Sequence, residues 1–342
     1  MTILVTGGAG YIGSHMVHEL VDRGEEVVVL DDLSTGHRHA VPDGVELVVG
    51  DVGDTELVAG VLRRRGIAEI AHFAARIVVV DSMAQPLDYY MNNTVRSRAL
   101  FEAAVDCGVQ RVIFSSTAAV YGEAGTDLIP ESADKRPITP YGRSKLATEW
   151  MLADIAAAHG FSYAMLRYFN VAGAEPKGRI GQSSARATHL IKVAAEAAAG
   201  KRPVVEVYGE DYPTPDGTCI RDYVHVTDLA NAHLAVLDAL RAGSAPLVYN
   251  CGYGRGFSVR EVLDVVRKVS GVDFPVVPKP RRPGDPPCLV ADSRRIQAEL
   301  GWRPQFDDLE MIVRSALAWE AELARRAGSA GSGGMAAGGR LA

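Results

Sequence analysis

Cysteine is scarce and scattered in this chain. Cys107, Cys219, Cys251 and Cys288 are the only four in 342 residues, and no two of them form a C-x-x-C pair. Such spacing argues against a structural zinc site and against a disulfide framework, and it fits a protein of the reducing cytoplasm. Long apolar runs are lacking too. The opening stretch Ile3-Leu4-Val5-Thr6 runs straight into glycines and is too short to span a bilayer or to form the core of a secretion signal, so no membrane role is expected. Nor is there an excess of positive charge. The formal net charge is −6, and the one compact basic run, Arg63-Arg64-Arg65, reads as the solvated end of a helix, so no nucleic-acid partner is expected. No internal repeat is visible.

What is present is a globular composition, 47% hydrophobic and 23% charged with 35 Gly and 17 Pro. A chain of this length is better served by two lobes and a cleft than by one core. Short apolar runs at Ile3 to Thr6, Val27 to Leu30, Val45 to Val49, Ile70 to Ala74, Val112 to Ser115 and Tyr163 to Tyr168 alternate with helix-length amphipathic segments. That alternation predicts an α/β fold with a doubly wound parallel sheet covered on both faces. After Asn170 the texture changes to Gly- and Pro-bearing loops and an alanine-rich helix near Ala187 to Ala199. We therefore expect a dinucleotide-binding domain over 1–170, with 221–250 returning to it, and a smaller α/β substrate domain over 171–325. Asp228 is the expected cap of a helix from Leu229 to Arg241, and another helix is expected from Ser258. The Gly-Ser-Ala tail over 326–342 is expected to be flexible.

Directly after the first strand comes Thr6-Gly7-Gly8-Ala9-Gly10-Tyr11-Ile12-Gly13, a G-x-x-G-x-x-G turn opening a helix. Absent side chains let such a turn approach a pyrophosphate, whose charge is favoured by free N–H groups at the helix N-terminus, the arrangement of Rossmann-like folds. The second strand ends in Asp31-Asp32, about 20 residues on, where a carboxylate takes the adenosine ribose hydroxyls. A carboxylate there repels a 2′-phosphate and favours NAD, with His37 and Arg38 keeping NADP open as a lesser alternative. Asp51-Val52 after the third strand can reach an adenine, and Phe73-Ala74-Ala75 after the fourth offers small residues along the cofactor's path.

The fifth strand runs into Ser115-Ser116-Thr117, and 24 residues beyond Thr117 lies Tyr141-Gly142-Arg143-Ser144-Lys145 at the start of a helix. The i, i+4 spacing places Tyr141 and Lys145 on one face. A tyrosine titrates at ~10 in water, but a neighbouring ammonium and an oxidised nicotinamide both favour its phenolate. Tyr141 could then take a proton from a sugar hydroxyl while the carbon releases hydride, with Thr117 holding the reacting oxygen in line.

On these motifs the chain resembles the extended short-chain dehydrogenase/reductases, and among them the UDP-galactose 4-epimerase group, over nearly its whole length. The matching segments are TGGAGYIGSH at Thr6, HFAA at His72, NNT at Asn92, FSSTAAVYG at Phe114, PYGRSK at Pro140, RYFNVAG at Arg167, YGEDYPTPDGTCIRDYVHV at Tyr208 and PRRPGDPP at Pro280. The resemblance implies an isomerase that interconverts UDP-glucose and UDP-galactose on bound NAD through a 4-keto sugar. It implies Tyr141 as base, Lys145 as its partner and Thr117 beside them, with Asn92, Ser115 and Tyr168 joining the cofactor site. It further implies nucleotide-sugar contacts from Asn170, Leu190, Tyr208, Arg221, Arg282 and Asp285: arginine forks for the diphosphate, Tyr208 against uracil and Asp285 on ribose hydroxyls. In isolation, Arg221-Asp222 reads equally as a local ion pair. A homodimer through Leu87 to Cys107 and Ala147 to His159 is implied as well.

Related dehydratases and decarboxylases place an acid shortly after the Ser/Thr, where this chain has Ala118 and Ala119, neither able to move a proton. Ile77 stands where some members have a cofactor-contacting lysine, and His189 where others have asparagine. Cys288 takes a wall position that is tyrosine or a small residue in the family; a small one leaves room for an N-acetyl group, so UDP-GlcNAc/UDP-GalNAc exchange is a further expectation. A UDP-pentose or UDP-uronate 4-epimerase remains an alternative, as does a non-enzymatic NAD-binding regulatory protein, which the intact Thr117, Tyr141 and Lys145 disfavour.

Overall fold

The computed structural model of the chain describes residues 1–125, 127–184, 187–244 and 246–333. In chain order its strands are β1 (Thr2–Thr6), β2 (Glu26–Asp31), β3 (Glu46–Val49), β4 (Glu69–His72), β5 (Arg111–Thr117), β6 (Ser162–Tyr168), β7 (Asn170–Ala172), β8 (Val205–Tyr208), β9 (Ile220–His225), β10 (Leu247–Cys251), β11 (Gly256–Ser258), β12 (Val276–Lys279) and β13 (Cys288–Leu289). The helices are α1 (Tyr11–Asp22), α2 (Thr55–Arg65), α3 (Val79–Ala84), α4 (Pro86–Tyr90), α5 (Arg96–Asp106), α6 (Pro140–His159), α7 (Leu190–Ala198), α8 (Val226–Arg241), α9 (Val259–Ser270), α10 (Arg294–Leu300) and α11 (Leu309–Gly333), with a π-turn over Met91–Val95 joining α4 to α5.

Seven strands form one sheet, all parallel, in the order β10-β6-β5-β4-β1-β2-β3. The winding reverses between β1 and β4, so the loops leaving those two strands part and open a crevice at the C-terminal edge of the sheet. Strand alternation decides which side chain meets which helix layer. Ile3, Val5, Val27 and Val29 pack with Met16, Val17 and Leu20 of α1 and with Leu229 and Leu237 of α8. Leu4, Val28, Leu30, Val112 and Phe114 point the other way, onto Val58 and Leu62 of α2 and Leu100 and Phe101 of α5. Burying each such side chain contributes about 1.5–3 kcal/mol, and both faces of the sheet are covered, the doubly wound architecture expected.

A second sheet centres on β9, which pairs with β7, β11 and β13, while β8 and β12 form a separate pair. Its core joins Ile191 and Ala194 of α7, Val262 and Val266 of α9 and Ile312 and Val313 of α11. The segment 221–250 is therefore divided: α8 and β10 join the large sheet, but β9 finds its backbone partners in the second one.

Two local expectations change. His225, not Asp228, caps α8, its ring Nδ1 facing Thr227 N at 3.1 Å. Asp228 lies inside the first turn and faces 302–306, accepting from Gln305 N at 2.8 Å, Phe306 N at 2.9 Å and the Tyr253 hydroxyl at 2.6 Å. Residues 326–333, expected to be flexible, are helical. Helix α11 runs on to Gly333, with Arg326 donating to the carbonyls of Gly178 and Arg179 at 3.1 Å and lying over the Trp319 ring; residues 334–342 lie outside the described residues. The helix expected from Ser258 does start there, with a full capping box to Glu261.

These two carboxyl-type and hydroxyl-type anchors differ in weight. Asp228→Ala takes the carboxylate acceptor from the Gln305 and Phe306 N–H groups and the Tyr253 hydroxyl and is expected to cost about 3 kcal/mol. Ser258→Ala removes a cap and is expected to cost about 1 kcal/mol. Urea unfolding midpoints of the two variants check this, and an equal or reversed ranking contradicts it.

Candidate active site

The loop after β1 is shaped by what its glycines must avoid. Gly7 has φ +70°, and a Cβ there would lie 2.6 Å from Ala74 N, so this loop packs directly on Phe73-Ala74 after β4. A Cβ on Gly13 would lie 2.2 Å from the Gly7 carbonyl, which holds the first turn of α1 against the loop. Gly10 caps that helix without any side-chain hydrogen bond. Its first-turn N–H groups, those of Tyr11, Ile12 and Gly13, are thus left to a ligand's oxygens, and the cradle suits a diphosphate. The Tyr11 hydroxyl is occupied elsewhere, donating to Gly173 O at 2.6 Å and tying the loop to the segment after β7.

Asp31 ends β2 beside this cradle. Its two oxygens accept from Ala9 N at 2.9 Å and Leu33 N at 2.8 Å, and burial pushes its carboxyl up while those N–H groups oppose the shift. Each oxygen keeps a lone pair for a further donor. Asp32 is exposed and accepts from Ser34 N; Asp51 faces Gly53 N and Arg96, with Val52 buried beside it. Asn92, in the π-turn, accepts from Arg76 N at 3.0 Å, one residue beyond Ala75. The Ile77 position is exposed.

The reaction candidates meet where β5 ends and α6 begins. Thr139 caps α6, accepting from Gly142 N at 3.1 Å, and Pro140 occupies the first helical position, where its missing N–H costs nothing. A Cβ on Gly142 would lie 2.5 Å from Ala119 O, so the helix start presses on the turn after β5. This packing brings Tyr141 within a hydrogen bond of Thr117. One turn later the Lys145 ammonium donates to Ser115 O at 2.8 Å and sits 4.7 Å from the Phe114 ring centre. Lys145 is 2% exposed, and burial brings its pKa down to about 7, opposed by the Glu149 carboxylate. The Tyr168 hydroxyl bonds Ser115 and lies 2.9 Å from His233 Nε2.

Without a cofactor beside it, the balance at Tyr141 favours the neutral phenol. Burial raises its pKa, with the Thr117 hydrogen bond as the opposing influence. Ionising this phenol therefore calls for a further positive charge beside it.

The remaining candidates stand on the second sheet and its loops: Asn170 opens β7, Leu190 opens α7, Tyr208 closes β8, and Arg282, Asp285 and Cys288 line up from β12 to β13. Arg221 does not pair with Asp222. Adjacent strand residues point to opposite faces, and Asp222 accepts from Tyr253 N, Gly254 N and Ala291 N, whereas Arg221 donates to Ile220 O and Pro286 O and pairs with Asp285. The Arg282 guanidinium lies 3.6 Å from the Tyr208 ring centre, so one face of that ring is already covered. Gly284, at φ +80°, packs on the Thr139 methyl, where a Cβ would come within 2.6 Å. The loop carrying Arg282 and Asp285 thus leans on the cap of the helix carrying Tyr141.

Sequence reasoning missed a buried network behind the reaction centre. Ser116 bonds Glu149, Arg167 grips Glu149 through Nε at 2.9 Å and Nη2 at 2.6 Å, and Tyr121 links Arg167 to Asn250. Its signal was the continuation of the Tyr141, Lys145 spacing by one more turn to Glu149. At the opposite edge of the sheet, a groove of about 490 Å³ between Arg111, His159 and Ser162 contains none of these residues. Among the described residues no group of His, Cys, Asp or Glu is arranged to hold a metal, and no helix is long and apolar enough to cross a membrane.

Comparison with known proteins agrees with this geometry. Residues 3–252 match the model of the NAD dependent epimerase/dehydratase family. A UDP-glucose 4-epimerase of Azospirillum brasilense is 55% identical over 335 residues, covering 98% of this chain and 96% of the relative. Among solved structures, UDP-glucose 4-epimerase from Brucella ovis in complex with NAD superposes with a TM-score of 0.89 at 44% identity, covering 93% of this chain and 97% of the other. The UDP-Glc/GlcNAc 4-epimerase of Campylobacter jejuni gives 0.81 at 48% identity, covering 94% and 99%. With the crevice, the glycine cradle and these matches together, the chain belongs to the NAD dependent epimerase/dehydratase family.

Proposed function

We propose that the chain is an NAD-dependent 4-epimerase that interconverts UDP-glucose and UDP-galactose through a 4-keto intermediate. The observation that carries this reading is the meeting of Thr117, Tyr141 and Lys145 at the sheet edge beside the glycine cradle. When bound, NAD supplies the hydride acceptor and the positive charge that Tyr141 otherwise lacks. Tyr141 takes the proton of the sugar 4-hydroxyl and later returns it; Thr117 orients that hydroxyl, and Lys145 holds the local field positive. Gly7, Gly10, Tyr11, Ile12 and Gly13 cradle the diphosphate, and Asp31 takes ribose hydroxyls on its unused lone pairs. Arg221, Arg282, Asp285, Tyr208, Asn170 and Leu190 grip the nucleotide from the second lobe, which leaves the hexose free to turn its other face. Ala118 and Ala119 offer no acid for eliminating water. The name of the Azospirillum relative supports the substrate assignment.

Cys288 is buried, and its small side chain leaves room for a 2-acetamido group, a reading favoured by the dual specificity named for the Campylobacter relative. A homodimer is favoured by the apolar side chains left exposed on α4, the π-turn and α6, with Leu87 80%, Met91 52% and Trp150 62% exposed. The four cysteines form no disulfide, which supports a cytoplasmic location.

Three outcomes are expected. Tyr141→Phe lowers kcat for UDP-glucose epimerisation by about 10²–10⁴-fold, read by NMR of the sugar anomers, with secondary structure unchanged; full activity in that variant rules out the proposed base. Cys288→Tyr abolishes conversion of UDP-GlcNAc and spares that of UDP-glucose, and equal loss of both contradicts the wall assignment. Light scattering gives a mass of twice 36.5 kDa, and Trp150→Glu shifts it toward that of one chain; a single-chain mass for the unmodified protein excludes the dimer.

A further inference from the structure

We propose that Glu149 is a positioning residue for the reaction: its carboxylate fastens the strand carrying Ser115 and Thr117 to the helix carrying Tyr141 and Lys145, and sets a negative charge one helical turn from the Lys145 ammonium. The inference rests on the epimerase reading of the site.

The geometry is that of a bolt between three elements. Ser116 stands between Ser115, whose carbonyl receives the Lys145 ammonium, and Thr117, which bonds Tyr141. Its hydroxyl donates to Glu149 of α6, and Glu149 in turn accepts two bonds from Arg167 of β6. Ser116 and Arg167 are register partners in the sheet, so the carboxylate sits across a single rung of β5 and β6. All three side chains are buried. A carboxylate so placed fixes how far α6 stands from β5, which is the distance that the Thr117–Tyr141 and Ser115–Lys145 bonds require.

The electrostatics point the same way. Lys145 is deeply buried, and its hydrogen-bond acceptor is a neutral carbonyl. The groups facing it are Glu149 on α6, the Phe114 ring and Ser115 carbonyl on β5, and His72 on β4, which burial keeps neutral with a pKa of about 3. Glu149 is the acidic group that opposes the loss of the ammonium's charge. Glu149 itself faces Arg167 and Tyr163 of β6 and, through Arg167, the Tyr121 hydroxyl. Tyr163 is raised by its own burial and by Glu149, so it remains neutral through the range that matters.

The signs of two substitutions follow. Removing the carboxylate's charge lowers the Lys145 pKa, so activity that needs the ammonium is lost at lower pH. Removing the Arg167 cation leaves the carboxylate uncompensated, which raises the Lys145 pKa and carries activity to higher pH. A role confined to stability moves both variants in the same direction or moves neither.

The test is kcat against pH for the holoenzyme with UDP-glucose, comparing the unmodified protein with Glu149→Gln, Arg167→Gln and Glu149→Asp. The alkaline limb is expected to fall by about one pH unit in Glu149→Gln and to rise in Arg167→Gln, with KM little changed. Glu149→Asp, which restores the charge, is expected to return the limb toward its original position. Coincident limbs, or limbs displaced the same way in both neutralising variants, overturn the proposal. Should Glu149→Gln fail to fold, the direction of the Arg167→Gln limb decides. Inactivity of the unmodified protein toward UDP-glucose instead overturns the functional reading, and the inference with it; an active protein with unmoved limbs overturns the inference alone.

Discussion

A single ammonium, held almost out of water between a strand and a helix, sets the terms for the site. Burying an unpaired cation costs several kcal/mol, so every neighbour of Lys145 bears on whether it stays charged. The Ser115 carbonyl, the Phe114 ring and the Glu149 carboxylate each offset part of that cost. The same contacts locate α6 against β5, and the placing of Tyr141 beside Thr117 follows from them. Thr139, Pro140 and Gly142 then determine where the helix begins and how closely it meets the turn at Ala119.

The second lobe is coupled to this centre at a few identifiable points. Gly284 rests on the Thr139 methyl, Tyr11 reaches from the glycine cradle to Gly173, and Arg179 pairs with Asp22 of α1 at 2.8 Å. In the proposed reaction the nucleotide has to be gripped while the hexose turns over above a fixed base. Holding the grip on one lobe and the base on the other, with short contacts between them, satisfies both demands.

Much of this was legible in the sequence because it is local. The glycine turn, the alternating strands and the Tyr141, Lys145 spacing are set by neighbouring residues, and all reappear in place. What was not legible depends on partners far along the chain. Nothing near Ile220–His225 says that this strand pairs with β7, β11 and β13 and leaves the large sheet. Asp228 looks like a helix cap until the 302–306 segment arrives to claim it. Arg221 beside Asp222 reads equally as a local ion pair, but strand alternation turns it toward Asp285, 64 residues away. Arg282 covers one face of Tyr208, a cation–π contact between residues far apart along the chain.

The central claim is that a hydride leaves the sugar and comes back to the same carbon without escaping the site. UDP-glucose carrying deuterium at C4, incubated with the purified protein and no added NAD, tests it directly. The account predicts UDP-galactose with the deuterium retained at C4. Product in which the label has been replaced from solvent, or no product at all with the cofactor present in the protein, would contradict it.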